Sequence, residues 1–185
     1  MHILSDSTFL KTFAAFNTIY LAALAGAAHG MYLFSIPIVK NNSSTLGMLR
    51  QFHQLITLGA RYMQGSSRMQ GVSLAALTYL LYRYPDLEIA RRWKYFAAAL
   101  VVGIQVAWYE VVFIFPTNDR LVEMEGELKR ETGEGEEGKR EGEKARDREM
   151  RGEVLRLLEQ WRRWHVGRII VPLVCTCLAV CGLIF

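Results

Sequence analysis

The stretch from Lys94 to Asp119 reads KYFAAALVVGIQVAWYEVVFIFPTND, and its composition decides the fold. Between its two charged ends lie 24 residues whose only Asp, Glu, Lys or Arg is Glu110. A helix needs about 20 predominantly apolar residues to cross a bilayer. The stretch is long enough, and it closes on a helix-stopping proline and two turn-capping residues, Pro116, Thr117 and Asn118.

Working outward, the same test finds two more spans. Lys11 and Lys40 bracket 28 residues with no Asp, Glu, Lys or Arg, and Arg168 is followed by 17 such residues. A shorter run, Met69 to Tyr82, holds 14 apolar or neutral residues, and extending it back to Tyr62 takes in Gln64 and Arg68. Because Arg in lipid is costly, its first turns are expected to face protein or a wet cavity. The expected fold is therefore all-α, an integral membrane four-helix bundle. Its spans lie at about 12–38, 62–82, 95–116 and 166–185, within a single transmembrane domain covering 1–185. The first apolar run is too long for the core of a cleavable signal peptide.

Charge is unevenly placed. The net charge is +4, yet 14 of the 18 acidic residues lie between Asp119 and Glu159. Residues 119–160 are read as a charged, partly disordered loop between the third and fourth helices. Its Gly126–Glu149 tract of Glu, Lys, Arg and Gly is too polar for a core. The helix is expected to resume near Gly152. The basic balance carries no nucleic-acid motif, so no nucleic-acid partner is expected. The short loop Arg83–Lys94 carries four basic residues, which favours a cytoplasmic placement. Cys175, Cys177 and Cys181 all lie in the last span and are read as small apolar residues.

Within the first span, Pro37 is expected to stop the helix. Gly26 and Gly30 form a GxxxG pair, read as a place where another helix packs closely, one of the same chain in preference to one of a second copy. Asn41 and Asn42 each begin an Asn-x-Ser sequon, usable only if that loop faces a lumen. Pro172 is expected to kink the last span.

Few residues carry chemistry. Glu110 is the only carboxylate within a span, and such residues are functional candidates by default. Its bland alternative is a structural pair with an Arg such as Arg68. Trp161, His165 and Arg168 follow i, i+4, i+7 spacing and share one helix face. His moves protons near neutral pH, and Arg holds an oxyanion in a fork. Trp161 and Trp164 serve equally as interfacial anchors. His53 reads as an interfacial residue. A metal site built from His29, Glu110 and His165 has no local ligand spacing behind it, so no metal is expected. No phosphate-binding loop, GxSxG, HExxH or haem motif is present, which removes support for kinase, hydrolase and nucleotide-cofactor classes.

Taken together, the ordered pattern resembles the anthrone oxygenase family of small four-span membrane proteins. The matching residues are Gly26, Gly30, Ser35 and Pro37, then Tyr62-x-x-Gly65, then Pro116-Thr117-Asn118 with Leu121. Leu157/Leu158, Trp161, His165 and Arg168 complete it. The charged insert at Gly126–Glu149 is where the chain departs from the pattern. The resemblance implies a monooxygenase of polyketide secondary metabolism that oxidises an anthrone to an anthraquinone with O2. No organic cofactor would be needed, because a deprotonated anthrone can reduce O2 directly. His165 or Glu110 would be the base, and Asn118 and Arg168 would steady the developing oxyanion. Thr117, Trp161, Trp164, Trp108, Tyr109 and Tyr62 would line the site of a flat hydrophobic aromatic substrate. The expected surroundings are the lipid bilayer of an endomembrane, such as the endoplasmic reticulum. The competing class is a non-catalytic module that binds or carries a small hydrophobic molecule, or an assembly protein, in which the same cluster locks helices together.

Overall fold

The protein is all-α, an integral membrane protein. The computed structural model describes residues 7–133 and 140–184. Nine α-helices occur among the described residues: α1 (Ser7–Gly30), α2 (Ile36–Lys40), α3 (Thr45–Gly59), α4 (Gly65–Tyr82), α5 (Leu87–Ala90), α6 (Trp93–Tyr109), α7 (Phe115–Gly133), α8 (Arg140–His165) and α9 (Gly167–Ile184). Three five-residue π turns, Met31–Ser35, Ala60–Gln64 and Glu110–Ile114, join α1 to α2, α3 to α4 and α6 to α7. Three of the resulting helical stretches, Ser7–Lys40, Leu87–Arg130 and Asp147–Ile184, are long and apolar enough to cross a membrane.

The prolines do not end helices as expected. Pro37 and Pro116 each sit two residues beyond a π turn, and the helix continues to Lys40 and Gly133 respectively. Proline removes an i→i−4 hydrogen bond and crowds the preceding turn. A π turn shifts the bonding to i→i+5 and opens the turn just before the ring. Pro172, for which a kink within the last span is expected rather than a stop, lies inside α9.

The chain divides into two compact units. The first comprises residues 1–29, 62–108 and 167–185. Four helical segments, from α1, α4, α6 and α9, share one core of Leu10, Leu21, Leu74, Leu77, Leu81, Phe96, Ala99, Cys175 and Ala179. Phe96 is wholly buried, and a Cβ added at Gly182 would come within 2.7 Å of its ring. That close approach is what the glycine permits. Cys175 Sγ donates to the Ala99 carbonyl at 3.2 Å. Among the polar side chains of this core, Gln70 Nε2 donates to both the backbone and side-chain oxygens of Asn17 at 3.1 Å. Apolar side chains such as Phe16, Ile19, Val72, Val101 and Ile170 point outward, as lipid contact requires.

One expectation about this unit is narrowed and one is corrected. Of the two surroundings expected for Arg68, protein is ruled out and a wet one remains; the residue is exposed, because the buried face of α4 runs through Gln70, Leu74, Leu77 and Leu81. Gly26 is not a packing site for another helix of the chain. The inward face of α1 runs through Leu10, Ala14, Leu21, Ala25 and Ala28, and nothing approaches within 4 Å of a Cβ placed at Gly26 or at Gly30.

The second unit comprises residues 30–61 and 109–166. Much of the supposed loop is helical here. Leu121, Met124 and Leu128 on α7, and Val154, Leu157, Leu158 and Trp161 on α8, recur at helical spacing and are buried. They meet Ile36, Val39, Met48, Leu49 and Phe52 in one core. Helix α8 begins at Arg140 rather than near Gly152. Part of the tract expected to be disordered, residues 134–139, lies outside the described residues.

Polar contacts trim this unit. Lys40 pairs with Glu159 at 3.0 Å, and that hydrogen bond holds the Glu159 carboxyl below its usual pKa. Ser44 caps α3 by accepting from Gly47 N–H at 3.0 Å. The Arg151 fork reaches the carbonyls of Ser43 and Asn42 at 3.1 and 2.9 Å.

Candidate functional site

The second unit brings together the two motif halves that the sequence separates. Past the Glu110–Ile114 π turn, the start of α7 presents Thr117, 4% exposed, and Asn118, half-buried. The last turns of α8 present Trp161 and His165 one turn apart, both with no exposed surface. Trp161 Nε1–H donates to Asn118 Oδ1 at 2.7 Å. The Trp161 and His165 rings stack with centroids 4.3 Å apart, and Phe52 meets the indole edge-on at 5.6 Å. An indole N–H can only donate, so it fixes Asn118 with its amide oxygen toward Trp161.

Beside this row lies an aromatic one. Tyr109 O–H donates to the Trp164 carbonyl at 2.6 Å. Phe113, from the π turn, stacks on Trp164 at 4.6 Å and meets Tyr109 at 5.0 Å. Glu110 opens the π turn and is half-buried. Asn118, Trp161 and His165 are thus in one contact chain, and Tyr109 and Trp164 in another. Glu110 and Thr117 lie in the second unit outside these two chains, and the other three candidates belong to the first unit. Tyr62 and Trp108 are exposed there, and Arg168 is half-buried in the first turn of α9.

Phe52 and Phe113 escape sequence reasoning because one aromatic among many in an apolar run carries no distinguishing spacing. A pairing of His53 with Glu125 at 2.6 Å escapes it too. Among the described residues, no three His, Cys, Asp or Glu side chains lie close enough together to hold a metal ion.

An all-α membrane protein in which a half-buried Asn is joined to a buried Trp–His stack is the class these features define. The chain belongs to the anthrone oxygenase family, whose model matches residues 52–178. The match takes in both motif halves and is consistent with a related oxygenase. No curated protein and no solved structure matches it.

Proposed function

We propose that this protein is a membrane-embedded monooxygenase that oxidises an anthrone-type polyketide to an anthraquinone, with His165 taking part in deprotonation. The overall change is anthrone plus O2 giving anthraquinone plus water. Loss of a proton from the CH2 opposite the carbonyl gives an electron-rich anion that passes an electron to O2. One oxygen atom ends as the new carbonyl and the other leaves in water.

The observation that carries this reading is the Asn118–Trp161–His165 row. The row joins an imidazole that can take up a proton to an amide that can face a developing oxyanion, through an indole that stacks on the one at 4.3 Å and hydrogen-bonds the other at 2.7 Å. Asn118, aligned by Trp161, then offers its amide to the developing oxyanion. Trp164, Tyr109 and Phe113 supply aromatic surface nearby. Dissolving such a substrate in the bilayer explains why the enzyme is a membrane protein.

One observation favours a non-catalytic role: Trp161 and His165 have no exposed surface, as side chains that only lock helices together would. Oxygen uptake separates the two. Membranes carrying the protein and an emodin-type anthrone should consume O2 above the spontaneous rate and form quinone, and His165→Ala should abolish the excess. No excess over the spontaneous rate in wild-type membranes would overturn the oxygenase reading.

A further inference from the structure

A second group of titratable side chains stands apart from the row at His165. Arg50, His53, Gln54, Thr57 and Leu58 lie along one face of α3, and Glu125 and Lys129 face them from α7. Together they line a cavity of about 660 Å³. His53 Nδ1 is 2.6 Å from Glu125 Oε2, and Lys129 pairs with the other carboxylate oxygen. Glu125 is 4% exposed, whereas His53 is nearly half exposed.

Burial alone would raise the Glu125 carboxyl. Hydrogen bonds from Lys129 and His53 outweigh it and hold the group below its ordinary value, so it is ionised at neutral pH. A carboxylate only accepts hydrogen bonds, so Nδ1 of His53 carries the proton toward it. In the neutral ring that leaves Nε2 with a lone pair, on a side chain that lines the cavity. A buried carboxylate behind an imidazole fixes the orientation of the ring and its tautomer.

We propose that this cavity binds a small phenol as its anion, with His53 accepting the phenolic proton. The proton moves from the phenol oxygen to His53 Nε2. The oxygen keeps the bonding pair and is held by the Arg50 guanidinium and the Lys129 ammonium. The imidazolium is matched by Glu125, and the proton returns when the ligand leaves. With neutral His53, the lining charges of Arg50, Lys129 and Glu125 sum to one positive charge, which suits a monoanion and disfavours a phosphate dianion. Leu58 and the methyl of Thr57 offer apolar surface for a ring. The site is independent of the oxygenase reading.

The test uses the full chain in detergent micelles with 3-nitrophenol, a weaker acid than histidine whose phenolate absorbs at longer wavelength than the phenol. At a pH above the ordinary histidine value of about 6.5, where the free probe is still mostly protonated, wild-type protein should raise the phenolate absorbance saturably. His53→Gln should abolish the rise, and Arg50→Met should weaken binding roughly tenfold. Benzoate, already an anion, needs no proton acceptor and should displace the probe from wild type and still bind His53→Gln. Absence of the rise in wild type would overturn the proposal. So would loss of benzoate binding in His53→Gln, because it would reduce the cluster to a clamp between α3 and α7.

Discussion

Trp161 and Asn118 are joined by a 2.7 Å hydrogen bond across 43 residues of sequence. The indole N–H aligns the amide of Asn118, while the ring of the same residue stacks on His165. One side chain therefore holds both halves of the motif.

Trp161→Phe keeps a ring over His165 and removes the donor. It should lower the stability of the detergent-solubilised protein by about 1–3 kcal/mol, because the Asn118 oxygen loses its donor and the smaller ring leaves space in a buried site. Asn118→Ala leaves the indole N–H without that acceptor and should cost about 1–3 kcal/mol. Thermal melts followed by tryptophan fluorescence rank the variants. Equal melting temperatures for Asn118→Ala and wild type would contradict the coupling.

His165→Gln retains hydrogen-bonding capacity but cannot take up a proton near neutral pH. If His165 assists deprotonation, quinone formation should fall by roughly 10²–10⁴-fold. The melting temperature should change far less than in His165→Ala, which also empties a buried site. A drop in rate that merely tracks the loss of folded protein would support the locking role instead.

Glu125 and Glu159 both have carboxyls held below the ordinary value of 4.5 in the folded state. Groups with depressed folded pKa values contribute stability that is complete above the unfolded value and disappears as pH falls through the folded one. Melting temperature should therefore hold from neutral pH down to about 5 and decline below about 4.5. The acid-induced decline should shrink when both are changed to Gln, although that variant starts from a lower plateau. An undiminished decline in the double variant would place the acid sensitivity elsewhere.

Gly182→Ala puts a methyl within 2.7 Å of the wholly buried Phe96 ring. The clash should destabilise the protein by about 1–3 kcal/mol. Phe96→Leu creates a cavity on its own, yet in the double variant the smaller side chain should accommodate the methyl. The two changes should then cost less together than the sum of their separate effects.

Much of this architecture is legible in the residues. Three apolar runs stand out because lipid exposure removes the need for a polar face. The motif halves at Asn118 and Trp161 are visible, and the structure joins them. The charged stretch misleads because composition masks spacing. Leu121, Met124 and Leu128 form a helical stripe that abundant Glu and Arg conceal, and the same holds for Val154, Leu157, Leu158 and Trp161. Prolines 37 and 116 mislead because stopping a helix is their usual effect, whereas here a π turn precedes each. His53 is paired with a carboxylate 72 residues away, and no local pattern announces such a partner.

The Arg151 fork on the carbonyls of Asn42 and Ser43 bears on the sequon there. Ser44 N–H also donates to the Asn42 side-chain oxygen at 3.1 Å, so three hydrogen bonds fix the turn while the amide nitrogen, the atom a sugar would join, takes part in none of them. A glycan found on Asn42 by mass spectrometry would therefore report which side of the membrane this turn faces.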